Sequence, residues 1–302
     1  MAIQQVRAKV NGTWHTLTYN SASGAYKASI TAPGATSYHQ SGGYYNVEVE
    51  ATNTAGTKGT ASGATLNGLR LVVKEKVAPV ITILSPSSGA YVANSKQPVV
   101  FTVVDESGGS GVDLSTLVVK QDGAAVASNT ISTTAITNGY SVTYTPATAL
   151  SDGSHTVQIT CSDHDGNAAA AKSTTYTVDT VPPTLNVSAP ADGLITATAA
   201  LNVTGTTNDA TSSPVTVTIK LNNVDQGGVT VQANGSWSKA ITLADGSNTI
   251  VVTATDAAGK SSSVTRTVTL DTSVPVVSSA TITPNPVDAG ATMLISVVVT
   301  EG

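Results

Sequence analysis

The segment LSDGSHTVQITCSDHDGN (Leu150–Asn167) returns later in the chain as LADGSNTIVVTATDAAGK (Leu243–Lys260), and Gly166 and Gly259 set a period of about 93 residues. Each copy reads as a strand closed by an acidic, glycine-bearing turn. Val157, Ile159 and Cys161 alternate with polar neighbours in the first copy, and Ile250, Val252 and Ala254 do so in the second. A period of two puts those apolar side chains on one face of an extended strand. Each copy is followed by a further strand and a proline-marked boundary, TTYTVDTVPP (Thr174–Pro183) and TVTLDTSVP (Thr267–Pro275). The same junction stands earlier as LVVKEKVAP (Leu71–Pro79). Proline lacks the N–H a sheet ladder needs and holds φ fixed, so it ends one strand and stiffens the entry to the next domain.

Working outward from these copies, period-two alternation and turn residues place about seven strands in residues 77–179 and about seven in 180–272, the count and size of an immunoglobulin-like sandwich. Residues 1–76 match only the later part of that plan. Gln5–Gly12 aligns with Val217–Asn223 as strand C, Ser23–Thr31 with Asn234–Thr242 as strand E, Tyr44–Thr57 with strand F and its turn, and Leu69–Lys74 with strand G. Strands A and B have no counterpart there. Residues 273–302 have the opposite content: Pro275–Pro284 aligns with strand A and Ala291–Thr300 with strand B. The expected fold is therefore all-β, a row of tandem immunoglobulin-like β-sandwiches whose first domain lacks strands A and B and whose C-terminal segment supplies only A and B.

A sandwich without A and B leaves backbone donors and acceptors unpaired, and a lone strand pair is marginal in water. The expectation that joins the two is strand addition between copies: Val276, Val277, Ile282, Met293, Ile295, Val297 and Val299 of one chain cover Val6, Ala8, Val10, Val47 and Val49 of the next. Such a contact is heterologous and builds a filament or a ring. A truncated chain, or completion of the tail by a different protein, are the competing readings.

Composition narrows the function classes. Charged residues are 11%, the net charge is −5, and the 14 Lys and Arg are spread thinly, so no basic stripe offers itself to nucleic acid. No apolar run reaches the length of a membrane span, and MAIQQVRAKVNG carries no signal-peptide pattern. Neither a nucleophile elbow nor a metal-ligand spacing frames the four histidines or the many Ser and Thr, so no enzyme is expected. Cys161 reads as a buried apolar residue.

Two ligand readings are carried forward. The turn Asp163-His-Asp165-Gly-Asn167, with Asp179 from the following linker, offers oxygen ligands that would suit Ca²⁺; against this, the same residue types make an ordinary β-turn. Trp14 and Tyr38 are candidate rings for stacking on glycans, while Tyr26 aligns with Trp237 and reads as core.

The phrases SDGSHTVQITCSDHDGN, DTVPPTLNVSAPADG, ADGSNTIVVTATDAAGK and ITPNPVDAGATMLISV resemble bacterial Ig-like modules of cell-surface proteins and of tail proteins of tailed phages. The N-terminal MAIQQVRAKVNGTWHTLTYN is similar to the start of phage structural proteins. The resemblance implies a virion or extracellular location, with itself and other virion or cell-surface proteins as partners. Expected functions are a phage tail- or fibre-like structural protein polymerising head to tail, a bacterial extracellular filament or adhesin, or a carbohydrate-binding module.

Overall fold

The computed structural model describes residues 2–301, and among these the regular structure is strand, apart from short 3-10 turns. The chain divides into two compact units, Met1–Ala90 with Asn94–Val178, and Tyr91–Ala93 with Asp179–Gly302.

The first unit holds two lobes. The first lobe contains β1 (Ile3–Val10), β2 (Thr13–Asn20), β3 (Ala25–Lys27), β4 (Tyr45–Asn46), β5 (Glu48–Asn53), β6 (Lys58–Ser62) and β7 (Arg70–Leu71). Its sheet runs β3-β2-β1-β5-β6, and β4 pairs with β7. In the second lobe lie β8 (Val80–Ser85), β10 (Val99–Val104), β11 (Val112–Gln121), β12 (Ala124–Ala125), β13 (Ile131–Ile136), β14 (Gly139–Tyr144), β15 (Gly153–Asp163) and β16 (Lys172–Val178), while β9 (Tyr91–Val92) is grouped with the second unit. One sheet there runs β13-β14-β10-β8 and the facing one includes β12-β11-β15-β16.

The second unit repeats the plan with β17 (Thr184–Ala189), β18 (Leu194–Thr196), β19 (Ala200–Asn208), β20 (Thr216–Leu221), β21 (Val224–Asp225), β22 (Ser236–Thr242), β23 (Gly246–Thr255) and β24 (Ser261–Leu270). Its sheets run β17-β19-β22 and β18-β24-β23-β20-β21. Two more strands, β25 (Val276–Thr283) and β26 (Leu294–Thr300), pair with each other as a separate ladder.

One local device identifies equivalent strands. β1 turns into β2 through Asn11 and Gly12 (φ 45° and 82°), β11 into β12 through Asp122 and Gly123 (φ 50° and 84°), and β20 into β21 through Asn222 and Asn223 (φ 50° and 68°). Two successive positive φ values give the two-residue turn whose twist matches that of the strands it joins, and Asn, Asp and Gly reach that region at least cost. β1 and its turn thus correspond to β11 and β20 in the later repeats, and β5 pairs with β1 as β15 and β23 pair with those strands.

Elsewhere the first lobe departs from the alignment. Only Ala25–Lys27 of the expected strand E is extended in a ladder, and it pairs with β2 in the C–F sheet instead of an opposite one. The strand beside β5 is Lys58–Ser62, not the expected Leu69–Lys74, because the turn after Asn53 folds the chain straight back. Tyr26 is half-exposed and lies against Tyr19 at 5.3 Å within that same sheet, whereas Trp237 is 3% exposed in its domain's core.

The cores differ in depth. β10 alternates buried Val99, Phe101 and Val103 with half-buried neighbours, and Val142, Val157, Ile159 and Tyr176 are also sealed from solvent. Cys161 sits in the same register and is buried, as its alternation implied. In the second unit Val203, Ile219, Trp237, Ile250, Val252 and Val268 share one cluster. Gly205 makes room for the Trp237 indole, since a Cβ there would stand 2.1 Å from the Asn186 carbonyl oxygen and 2.3 Å from Trp237 Cζ2. Each such large side chain contributes about 1.5–3 kcal/mol on burial. Among its described hydrophobic residues the first lobe buries only Val6, Ala8 and Tyr45, so its own core is thin.

Candidate functional site

The acidic turn after β15 is where the first lobe meets the second. Asp163 is spent on the turn itself: Asn167 donates its backbone N–H to Oδ1 and its Nδ2 to Oδ2, both at 2.7 Å. Asp165 reaches across the joint, where its Oδ2 accepts from Thr36 Oγ1 at 2.5 Å and from the Glu75 N–H at 3.1 Å. Lys74 Nζ donates to the Asp165 carbonyl at 2.9 Å, and Asn167 Nδ2 to the Glu75 carbonyl at 3.2 Å. Of the oxygens that the sequence offered to Ca²⁺, both of Asp163 and Oδ2 of Asp165 thus accept from protein donors. The fourth expected ligand, Asp179, belongs to the second unit, where it accepts from Ser212 Oγ.

Two other groups of acids are. Glu75, Asp105 and Glu106 each place a carboxylate oxygen within 4.8 Å of the others, and so do Asp179, Asp209 and Asp256. In the first group, Glu75 Oε1 accepts from Ser110 N–H and Oγ at 3.2 and 3.0 Å, and Asp105 Oδ2 from the Gly111 N–H at 2.7 Å. Asp105 is 4% exposed, and no donor reaches its Oδ1 or Glu106 Oε2. Burial, then the neighbouring Asp105 and Glu75 carboxylates, push the Glu106 carboxyl up to about 7. In the second group Asp256 Oδ1 accepts from the Lys260 N–H, Asp256 is 6% exposed, and no donor reaches its Oδ2. Both groups draw on an acid ending a domain and on the loop after strand B, and the second adds the turn after strand F. Asp163 and Asp256 are visible as equivalents in the sequence, whereas Glu75, Asp105, Glu106 and Asp209 escape the strand-by-strand reading. Their signal in the sequence is that acids recur in the loop after strand B and, for Glu75, in the phrase that ends a domain.

The two candidate rings have different surroundings. Tyr38 stacks on His164 at 4.4 Å and 9° between planes, with His39 edge-on at 5.2 Å, and His39 Nε2 donates to the Gly109 carbonyl at 2.8 Å. Its ring packs at the joint between the lobes while Tyr38 stays 43% exposed. Trp14 lies on the charged face of the first sheet, with the Arg7 guanidinium 4.3 Å from its centroid, and borders a groove of about 380 Å³ shared with Glu48, Glu50, Thr60 and Thr65. The Arg7–Glu50 pair, 2.8 Å apart, holds that face in place.

The β25–β26 ladder pairs Ala280 with Val297 and Ile282 with Ile295, putting these with Val277 and Val299 on one side, while Thr281 and Ser296 share the other with Leu294 and Val298. Met293 precedes β26. The apolar side is open: Ile282, Ile295, Val297 and Val299 are 44–56% exposed. Of the residues expected to receive it, Val6 and Ala8 are already buried within their own chain, and Val10, Val47 and Val49 are half-buried.

Comparison with known proteins agrees with this architecture. The model of a bacterial Ig-like domain matches residues 91–180, and that of glucodextranase domain B matches residues 183–272. No curated protein matches the sequence. Among solved structures, the fibronectin(III)-like modules of Clostridium thermocellum CbhA are similar at 17% identity and a TM-score of 0.43, covering 63% of this chain and 94% of theirs. Sidekick-1 immunoglobulin domains 1–5 are similar at 13% and 0.38, covering 99% of this chain and 60% of theirs. Bacteroides ovatus SGBP-B in complex with a mixed-linkage heptasaccharide is similar at 16% and 0.24, covering 96% and 68%. The chain is thus an all-β protein of tandem Ig-like domains, and no helix among its described residues is long and apolar enough to cross a membrane.

Proposed function

We propose that the chain is a structural or adhesive element of a virion, of tail or fibre type, which joins copies head to tail through the apolar side of β25–β26. The observation that carries this reading is the open row Ile282, Ile295, Val297 and Val299, each 44–56% exposed on a strand pair with no second layer. A two-stranded ladder of this kind is marginal in water and gains stability when a sheet covers it. The first lobe suits it as partner: it carries one five-stranded sheet and the short β4–β7 ladder, and few of its described apolar side chains are buried. Docking requires the cover over Val6 and Ala8 to move aside as the donor strands enter, a rearrangement of the kind strand addition involves. Because the two surfaces differ, repetition of the contact yields a filament or a closed ring.

The test is molecular mass by light scattering over a concentration series, for the wild type and Val297→Asp. Mass that grows with concentration in the wild type and stays monomeric in the variant is the expected result, since an unpaired carboxylate is costly in an apolar contact. A wild type that is monomeric throughout, or a variant that assembles equally well, would refute the reading. The same architecture serves a bacterial surface filament or adhesin, and the Trp14 groove favours a second reading in which the first lobe binds carbohydrate.

A further inference from the structure

The joint between the two lobes of the first unit collects negative charge where hydrogen bonding leaves it unanswered. Glu75 ends the first lobe, while Asp105 and Glu106 follow β10 in the second, and their carboxylate oxygens come within 4.8 Å of one another. Asp105 is 4% exposed, and its Oδ1 has no donor; neither has Glu106 Oε2. A buried carboxylate oxygen without a donor is costly, and three facing carboxylates repel one another. The backbone is shaped to this crowding at Gly109, where a Cβ would stand 2.6 Å from Asp105 Oδ2 and 2.8 Å from Glu106 Oε1. Among the described residues, no cation of the protein answers the cluster. Lys74, next to Glu75, is engaged with the Asp165 carbonyl, and His39 with the Gly109 carbonyl.

We propose that Glu75, Asp105 and Glu106 bind a calcium ion that fastens the first lobe to the second. The donor set is entirely hard oxygen, which selects an alkaline-earth ion over zinc or copper. Carboxylates that can bind through one oxygen or two, with water filling the remaining positions, suit the 6 to 8 ligands and loose geometry of Ca²⁺ better than the strict octahedron of Mg²⁺. Asp105 Oδ1 and Glu106 Oε2 are the direct ligands. Glu75, whose oxygens already accept from Ser110 and Val77, contributes a remaining lone pair and ties the ion to the first lobe. The gathering of acids is not peculiar to this joint, since Asp179, Asp209 and Asp256 collect in the second unit and leave Asp256 Oδ2 equally without a donor. This proposal stands apart from head-to-tail assembly, because the joint lies within one chain.

The experiment is hydrogen exchange of the full chain, read by mass spectrometry on peptides spanning residues 74–78 and 104–112, in EDTA and in millimolar CaCl₂, with calorimetric titration of CaCl₂ alongside. Calcium is expected to slow exchange in both peptides with a Kd on the order of 10⁻⁵ to 10⁻³ M. Glu106→Gln and Asp105→Asn should each weaken that response by about tenfold or more, equivalent to one direct ligand lost. Asp256→Asn, at the other cluster, should leave it unchanged. Glu106→Gln keeps the size of the half-exposed side chain, so it stays informative if Asp105→Asn fails to fold. Identical exchange in EDTA and calcium overturns the proposal. So does protection by calcium that survives Glu106→Gln, or protection by magnesium at equal concentration and to equal extent.

Discussion

Asp165→Ala tests how far the first lobe depends on its neighbour. The substitution removes the acceptor of two hydrogen bonds that cross the joint, from Thr36 Oγ1 at 2.5 Å and from the Glu75 N–H at 3.1 Å, and leaves the Lys74 bond to the backbone carbonyl in place. Thr36 is 3% exposed, and its hydroxyl is left with only the longer bond to the Val73 carbonyl at 3.3 Å. Hydrogen bonds to a charged acceptor contribute about 1.5–3 kcal/mol each when buried. Asp165 is half-buried, so solvent offsets part of that, and about 2 kcal/mol for the pair is a fair expectation. That energy corresponds to roughly thirtyfold more frequent opening of the first lobe. Native-state hydrogen exchange reads it directly: amides of β1 and β5 should exchange roughly thirtyfold faster, while those of β10 and β15 keep their rates. Asp165→Asn retains an acceptor oxygen and loses the charge, so its effect should fall between the two. Unchanged exchange in β1 and β5, or equal acceleration in both lobes, would refute the view that the joint supports the first lobe.

Two further outcomes are expected. His155 is 8% exposed, with Nδ1 2.7 Å from Asp122 Oδ2 and Nε2 2.8 Å from the Ser151 carbonyl, so both ring nitrogens meet acceptors and the imidazolium is the form that satisfies both. Burial disfavours the charge on His155, yet the Asp122 hydrogen bond and the Ser151 carbonyl outweigh it and raise the pKa. Burial likewise opposes the Asp122 charge, but His155 and the Thr156 N–H hold its carboxyl below the usual carboxylate range. The raised histidine stabilises the fold below its unfolded pKa near 6.5 and loses that effect as pH rises through its folded value; the lowered aspartate stabilises above about 3.8 and fails as pH falls through its folded value. Urea midpoints of wild type minus Asp122→Asn should therefore differ most between about pH 4 and 6.5 and converge toward alkaline pH; a difference independent of pH would exclude the pair as its source. Separately, Trp14→Ala should abolish any binding detected on a glycan array without lowering the melting temperature of the second unit, and retained binding would remove the Trp14 groove as the sugar site.

Much of the architecture could be read from local pattern. The alternation in Val157–Cys161 and Ile250–Ala254 marks a strand with one buried face because side chains in extended backbone point to opposite sides at every step. The pairs Asn11-Gly12, Asp122-Gly123 and Asn222-Asn223 mark the same hairpin three times because few residues accept positive φ. The first lobe was less legible. Lys58–Ser62 has weak apolar character, and its place beside β5 follows from a short turn and backbone pairing, which side-chain pattern does not record. Tyr26 aligned with Trp237, but the aligned strand lies in a different sheet, so the same position has no core to enter.

The candidate sites divide along the same line. The amphipathic side of β25–β26 was evident from Val297 and its neighbours, since a strand's two faces are written in alternate residues. The use of the acidic turn was not: Asp165 serves Thr36 and the Glu75 N–H, groups 129 and 90 positions away, and only the closing of the joint brings them to it. Glu75, Asp105 and Glu106 are likewise ordinary loop acids until two lobes meet. By itself the sequence determined the strands, their facing and the repeat, because these depend on backbone geometry within a few residues. Tertiary structure alone decided which carboxylates crowd together and which are satisfied, because charge and hydrogen bonding depend on distances in space that the order of residues does not contain.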